Sequence, residues 1–385
     1  MEMKRILFIA LLALQGLGAL AQKAVQIESP IVSEKDALWY KEQRDLWKAK
    51  TMENPTDETA WRNYYKAARY MGWPLEDFSA AHQAIEEMSH AIPDTYTYNL
   101  CAFTAIKLGH GIGTDGDKYA EKALKMLPDD IPPADYNEWI CYLAMKGQEE
   151  RMAKMAKRYF ESGTYSENVL RYSYNELAGM DNDGIFIANG DAAIIPKWLI
   201  QEGMGLFKDK TIVCAAFLAV KEYREWLNGK LNIKLPEWDD GGFDSYDAYE
   251  RALLQAIIDR FGSKVYFSAT TFPKTMEPWK ESLYNEGLLL KYSSKPYDNL
   301  AVKRRNVENR YQLEYLLVPF RPEWTAAGRL SANYAVLLAD LLPYYAIHDR
   351  NKQGRLTRLL VSGVQNTSLS EERKQEILSQ LTLLP

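Results

Sequence analysis

Gly184-Ile185-Phe186-Ile187-Ala188-Asn189-Gly190-Asp191 is the stretch on which the reading of the fold turns. The apolar run 184–188 lies between Asp181-Asn182-Asp183 and Asn189-Gly190-Asp191, both turn-forming triplets. A short apolar run punctuated this way is a buried strand entering a tight loop. Working outward, Pro196 suits an early helical position and residues 197–201 continue that helix. Residues 211–217 are β-branched and apolar, a second buried strand, followed by a helix over 221–228. Asp244 or Ser245 caps a further helix over 245–260, and residues 264–268 form a third strand. Strand–helix–strand alternation predicts a small three-layer α/β domain with a parallel sheet covered on both faces. Right-handed crossovers then place Asn189-Gly190-Asp191 at the carboxyl edge, where such sheets bind ligands.

The first half reads differently. Three segments start at Asp, carry an aromatic four residues on and finish at Gly: Asp57…Trp61…Gly72, Asp94…Tyr98…Gly109 and Asp135…Trp139…Gly147. Asp accepts orphan N–H groups at a helix start, and Gly takes the left-handed conformation that ends a helix. Each is followed by a second amphipathic stretch, at 77–90, 117–126 and 149–160. Pro93 and Pro128 close the first two of these, and residues 38–47 form a lead-in helix. The Asp/aromatic/Gly/Pro pattern over about residues 55–165 resembles a degenerate tetratricopeptide repeat array. That likeness implies a curved surface for peptide segments or neighbouring domains. From Trp324 onward the chain returns to helix, at 326–345, 351–361 and 370–381. Four divisions follow: a signal peptide at 1–21, a helical-repeat domain at 22–178, an α/β domain at 179–322 and a C-terminal helical segment at 323–385. The overall class is mixed α+β and α/β.

A second likeness is carried by Phe186-Ile187-Ala188-Asn189-Gly190-Asp191 followed by Pro196 and Trp198-Leu199-Ile200-Gln201. It resembles a segment in the soluble C-terminal region of bacterial multi-spanning membrane proteins related to protein O-mannosyltransferases. Val265-Tyr266-Phe267-Ser268-Ala269-Thr270 and Glu286-Gly287-Leu288 resemble a second segment of that region, in the same order. The likeness covers about residues 180–350 and implies a fold and a sugar-related lineage. Where that family carries a polar Asn-Asp-Thr run after Gly-Asp, this chain has Ala192-Ala193-Ile194-Ile195, and the membrane-embedded catalytic half is absent.

Composition narrows the function classes. The 385 residues carry 47 Lys+Arg against 52 Asp+Glu, a formal charge of −5, which works against nucleic-acid binding. Lys4 and Arg5, the apolar run Ile6 to Leu14 and Ala19-Leu20-Ala21 read as a secretory signal cleaved before Gln22. No Cys stands at the cleavage point, so no lipid anchor is expected, and no later segment reads as apolar enough to span a membrane. The mature chain is thus expected to be soluble, and periplasmic or secreted. Cys101, Cys141 and Cys214 each sit in apolar surroundings and read as buried thiols, with a Cys101–Cys141 bridge open. Tyr, at 25, outnumbers the 12 Phe, and 10 Trp add to the polar-handled aromatics; many of these Tyr and Trp fall on repeat helices where they pack.

Two places are candidate ligand sites. Asn189, Gly190 and Asp191 either hold a sugar or phosphate through several polar atoms, or form a strand-to-helix turn in which Asp191 caps the next helix. The 236–250 stretch carries six acidic residues with Trp238, Phe243, Tyr246 and Tyr249. There Trp238, Asp239 and Asp240 suit a sugar or a cation, or simply a solvated loop. Lys303-Arg304-Arg305 with Arg310 is a basic patch, either for an acidic partner or a solvated face. No nucleophile elbow, phosphate loop, dinucleotide fingerprint or zinc motif occurs, and no metal or cofactor is expected. The expectation is a non-enzymatic interaction or scaffold component of a bacterial cell envelope with protein partners. The alternative is a periplasmic protein that binds or processes glycans at Asn189–Asp191.

Overall fold

The computed structural model describes residues 23–30, 33–107, 116–321 and 325–381. The signal segment 1–21 and the Leu108-Gly109 pair lie outside them. The described residues fall into two compact units, one within 1–30 and 34–130, the other within 31–33 and 131–385. Residues 131–178, read above as the end of the repeat domain, therefore group with the sheet.

The first unit is helical: α1 (Ala37–Glu53), α2 (Glu58–Leu75), α3 (Ser79–Ala91), α4 (Tyr96–Lys107) and α5 (Gly116–Lys125). Asp57 caps α2 as its position predicts, accepting from the Thr59 and Ala60 amides at 2.9 and 3.1 Å. Gly72 does not end that helix. The helix runs on through Pro74 and stops at Glu76 in the left-handed region (φ 51°). Gly72 is needed for space instead, since a Cβ there would lie 2.5 Å from the Asp77 carbonyl oxygen. At α4 it is Thr95, not Asp94, whose hydroxyl accepts from the Tyr98 amide. Tyr40, Trp47, Trp61, Tyr64 and Tyr65 interdigitate with Ala60, Ala67, Ala68, Ala81 and Ala84 in one core. Large rings against alanines let helices approach closely at native density. Ahead of α1 the chain is stitched to this core: Asn63 accepts from the Ile27 amide, Gln43 from the Val25 amide, and the Trp47 indole donates to the Val25 carbonyl.

The second unit opens with α6 (Pro133–Met145), α7 (Glu149–Glu161) and α8 (Glu167–Gly179). Gly147, at φ 64°, ends α6 as its sequence position predicts. Strand β1 (Ile185–Ala188) leads into α9 (Asp191–Met204), and β2 (Thr211–Cys214) into α10 (Lys221–Leu231). The short α11 (Trp238–Gly241), then α12 (Tyr246–Phe261), precede β3 (Val265–Ser268). Next come α13 (Pro273–Met276), β4 (Leu283–Asn285), β5 (Leu289–Tyr292) and α14 (Asn299–Asn309). The chain finishes with α15 (Thr325–His348), α16 (Arg350–Gln365) and α17 (Glu371–Leu381). Pro196 lies inside α9 rather than at its start.

The three expected strands exist and are parallel, but the sheet is mixed and has five strands, in the order β2-β1-β3-β5-β4. Ile185 pairs with Thr211 on one side and Val265 on the other. The correction is the β4–β5 hairpin, which adds antiparallel to β3 with Phe267 opposite Leu290. Its strands are only three and four residues long, too short to show a period of two, so pairing rather than pattern creates them. Gly287 closes their turn at φ 114°, a conformation L side chains rarely adopt.

Among the described residues, Ala326–His348 is long and apolar enough to cross a membrane by length and composition, which the sequence reading did not anticipate. One face of it is packed into the second unit, and 39 % of the apolar window is buried. Tyr334, Leu337, Leu338, Leu341 and Tyr345 are buried against Leu356, Leu359, Leu360 and Val364 of α16. All three cysteines are buried thiols.

Two glycines give opposite forecasts. A Cβ on Gly203 would lie 2.2–2.5 Å from Phe160 side-chain atoms. Gly203→Ala therefore costs about 1–3 kcal/mol through overpacking. Nothing lies within 4 Å of a Cβ on Gly229 in α10, so Gly229→Ala gains up to about 1 kcal/mol from helix propensity. Urea unfolding of both variants checks the pair.

Candidate functional site

The chain leaves β1 for one neighbour, β2, and later returns to the other side as β3. The topological switch point thus lies between the carboxyl ends of β1 and β3. Asn189 stands there, and its side chain is committed at both ends. Its Nδ2 donates to Thr275 Oγ1 at 3.0 Å, and its Oδ1 accepts from the Phe272 amide at 2.6 Å. Its carbonyl accepts from the Ala216 amide and the Cys214 thiol. Gly190 precedes α9 with extended backbone (φ −143°) and open space where a Cβ would be. Asp191 opens α9 and accepts from the Ala192 amide at 2.8 Å.

The acidic stretch comes to the same edge. Asp247 pairs with Lys274 of α13 at 2.6 Å, and Glu237 with Arg224, whose guanidinium also donates to the Leu218 and Ala219 carbonyls. Trp238 is 44 % exposed yet packs on Phe243 and Tyr249, and Asp239 is exposed. The Asp240 side chain lies outside the described residues. Burial first, then the neighbouring Asp247, raises the Glu250 carboxyl above its usual range. The edge therefore gathers both predicted segments. Their polar atoms serve mostly to tie loops to one another.

Beneath that edge is a cluster that sequence reasoning missed. Lys197 of α9 donates to Glu176 and, at 3.1 Å, to Ser173, both on α8. Ser268, the last residue of β3, donates to the other Glu176 oxygen at 2.6 Å and meets Thr270 Oγ1 at 2.8 Å. The Lys197 and Glu176 side chains are 2 % and 0 % exposed, so no solute reaches them. Burial raises the Glu176 carboxyl and lowers the Lys197 amine, and each partner opposes the shift of the other. The signal was present: Lys197 is the one charge in Ile194-Ile195-Pro196-Lys197-Trp198-Leu199-Ile200. A charge in a buried run demands an ionic partner.

At the amino edge, Asp181 accepts from Lys291 at 2.7 Å and Tyr266 at 2.9 Å, with Arg305 and Arg310 within 3.8 Å. Burial pushes its carboxyl up, but Lys291 and Tyr266 outweigh this and hold it below the usual range. Lys291 is raised to about 12, the Asp181 and Tyr266 contacts outweighing its burial. Glu286 is raised by burial against the opposing Tyr297 hydrogen bond, and its Oε2 has no hydrogen-bond partner among the described residues. The basic patch is divided by this arrangement. Lys303 is buried against Asp340, Arg304 lies 4.0 Å over the Tyr344 ring, and Arg305 and Arg310 turn to Asp181.

Two open concave surfaces are lined mainly by helices. A groove of about 540 Å³ runs between α15, α16 and α17, lined by Ala332, Ala335, Val336, Ala339, Leu360 and Val364. Val336 is 60 % exposed on its rim. A smaller cleft of about 320 Å³ lies among α7, α8 and α9. Among the described residues no group of three or more His, Cys, Asp or Glu is placed to hold a metal ion. No protein-family profile, curated protein or solved structure matches the chain.

Removing one member of the buried pair leaves the other charge stranded. Lys197→Met should cost about 3–5 kcal/mol, and adding Glu176→Gln should recover much of it. A loss under about 1 kcal/mol for the single variant, read by denaturant unfolding, would contradict the pairing. The amino edge gives two opposite pH slopes. Asp181 is depressed when folded, so its contribution exists above the unfolded value near 3.8 and fades as pH falls. Asp181→Asn should therefore destabilise more at pH 7 than at pH 3. Glu286 is raised, so its contribution is complete below about 4.5 and fades as pH climbs. The stability of Glu286→Gln relative to the parent should improve from pH 4 to pH 8.

Proposed function

We infer that this chain is an exported, soluble interaction or scaffold component of the bacterial cell envelope, acting by binding rather than by catalysis. The observation that carries this reading is the α15–α17 groove. Three alanines and Val336 line it beside Leu360 and Val364, and among the described residues Arg373 is the one charged residue in the lining. Small residues flanked by apolar ones admit the apolar face of an amphipathic helix, the helix-in-groove mode of recognition. The switch-point edge lends less support to a ligand site, because both ends of the Asn189 amide are bound to its own loops. The helical hairpins over about residues 55–165 are read as a degenerate tetratricopeptide-like array, although the third of them groups with the second unit. Asp57 capping α2 and the alanine–aromatic packing of the hairpins favour that reading. Export rests on Lys4, Arg5, the Ile6–Leu14 run and the Ala19-Leu20-Ala21 site.

One experiment tests address and partner together. Tagged protein purified from its native envelope after cross-linking should begin at Gln22 by mass spectrometry and bring a defined partner with it. Val336→Asp, at an exposed position, should change stability by less than about 0.5 kcal/mol yet abolish recovery of that partner. An unprocessed N-terminus refutes export. Undiminished recovery by the variant refutes the groove as the contact.

A further inference from the structure

We propose that the cavity among α7, α9, α10 and the start of β2 binds a small zwitterion, a free α-amino acid with a methyl side chain or none. Its volume of about 90 Å³ holds about three waters at ~30 Å³ each, well below the ~300–1,000 Å³ typical of small-molecule sites. Its whole lining belongs to the second unit. Two buried side chains in that lining keep a polar atom unused. Gln201 is 6 % exposed, and its amide nitrogen donates to the Phe207 and Lys210 carbonyls, both at 2.8 Å. Its Oε1 is left without a hydrogen bond among the described residues. Trp198 is 4 % exposed, and its indole N–H has no acceptor among those residues. Protein covers both side chains elsewhere, so the cavity they line is where these atoms stay open. Edge strand β2 adds two more groups. Thr211 gives its amide to Gly184, so Ile212 turns its amide and carbonyl to the side away from β1. On that side the Cys214 amide takes the Tyr223 hydroxyl, whereas the Ile212 groups meet no partner among the described residues.

Charges of both signs stand around these neutral donors and acceptors. Glu149 accepts from Lys230 at 2.5 Å and from the Trp226 indole at 3.2 Å, and Lys208 pairs with Glu202. Burial works against the Glu149 charge, but Lys230 and Trp226 outweigh it and hold the carboxyl below its usual range. A plain anion in this cavity would face Glu149 and Glu202, and a plain cation would face Lys208 and Lys230. A zwitterion exchanges one ion contact for another. Its ammonium takes the place of Lys230 on Glu149, and its carboxylate takes the place of Glu149 on Lys230. An α-carbon holds these two charges side by side, as Glu149 and Lys230 stand. Their side chains are 45 % and 41 % exposed, so the exchange opens a pair that contributes little in water. The ammonium, donor-only, then finds Gln201 Oε1 and the Ile212 carbonyl as further acceptors. The carboxylate, acceptor-only, finds the Trp198 and Ile212 N–H groups. This assignment stands independently of the envelope-partner reading.

The test is isothermal titration of the mature full-length protein with L-alanine, with its two halves propionate and ethylamine, and with the bulkier L-leucine. L-Alanine should bind at one saturable site, at least tenfold more tightly than each of the other three. Glu149→Gln should bring alanine down to the affinity of propionate, and Lys230→Gln should bring it down to that of ethylamine. Both positions are well exposed, so melting curves of the two variants should overlay that of the parent. Val336→Asp, in the α15–α17 groove, should leave alanine binding unchanged, which separates failure of this site from failure of the groove. Absence of saturable alanine binding overturns the proposal, as does equal affinity for alanine and any other probe in the parent protein. Alanine binding that survives both Glu149→Gln and Lys230→Gln undiminished lies elsewhere and overturns it too.

Discussion

The second unit is organised around one buried ion pair. Lys197 and Glu176 join α9 to α8, and Ser268 carries the same carboxylate to the end of β3. Two charges removed from water are tolerated only when they face each other and their remaining lone pairs and protons are occupied. Ser173 and Ser268 supply that occupation. The requirement constrains position as much as energy: α8, α9 and β3 must be in register for the charges to meet. Such a device selects one packing over near alternatives, the role for which buried polar groups are best suited. Apolar strands alone would be more permissive. Phe186, Ile187 and Val265 bury equally well in several slightly shifted arrangements, whereas an ammonium and a carboxylate do not.

That constraint shapes what the sheet can present. With α9 locked on α8, the switch point between β1 and β3 is closed from above by Asn189 gripping the loop at Phe272 and Thr275. The acidic stretch is drawn to the same edge through Lys274, and Arg224 holds Glu237 beside the start of α10. Polar residues that look available in the chain are thus spent on holding loops. Open concavities lie instead where helices meet imperfectly, at the alanine-lined groove of α15–α17 and at the cleft beside Phe160. Helix packing leaves such grooves because ridges of side chains of unequal size do not fill every gap.

The amino edge shows the same logic with a different balance. Asp181 is half-exposed and surrounded by Lys291, Arg305, Arg310 and the Tyr266 hydroxyl, so it stays ionised. Glu286, nearby and buried, is pushed the other way. Two carboxylates around one lysine acquire opposite tendencies because one keeps solvent and close cations, while the other keeps mainly a phenol. The basic run 303–305 carries no hint of this. Consecutive residues on α14 point in different directions, and their neighbours lie far away in sequence.

Local pattern alone determined much of this protein. The punctuated run at 184–188, the run at 211–217 and the stretch at 264–268 declare strands because burial on both faces requires apolar residues without interruption. The second strand nonetheless ends at Cys214, and Ala215–Ala219 coil into a 3-10 turn. The helices at 58–75, 149–161 and 350–365 declare themselves through periodic apolar faces and, at Asp57, through a cap. Tertiary structure decided the rest. The β4–β5 hairpin exists by pairing with β3, Gly72 is required by a neighbouring carbonyl rather than by a helix end, and Asn189 is a latch rather than an open ligand. The decisive contacts span 21 residues for Lys197–Glu176, 86 for Asn189–Thr275 and 92 for Ser268–Glu176. Periodicity reports which face of an element is buried. It does not report which side chain waits on the other side, and polar partners in this fold are chosen there.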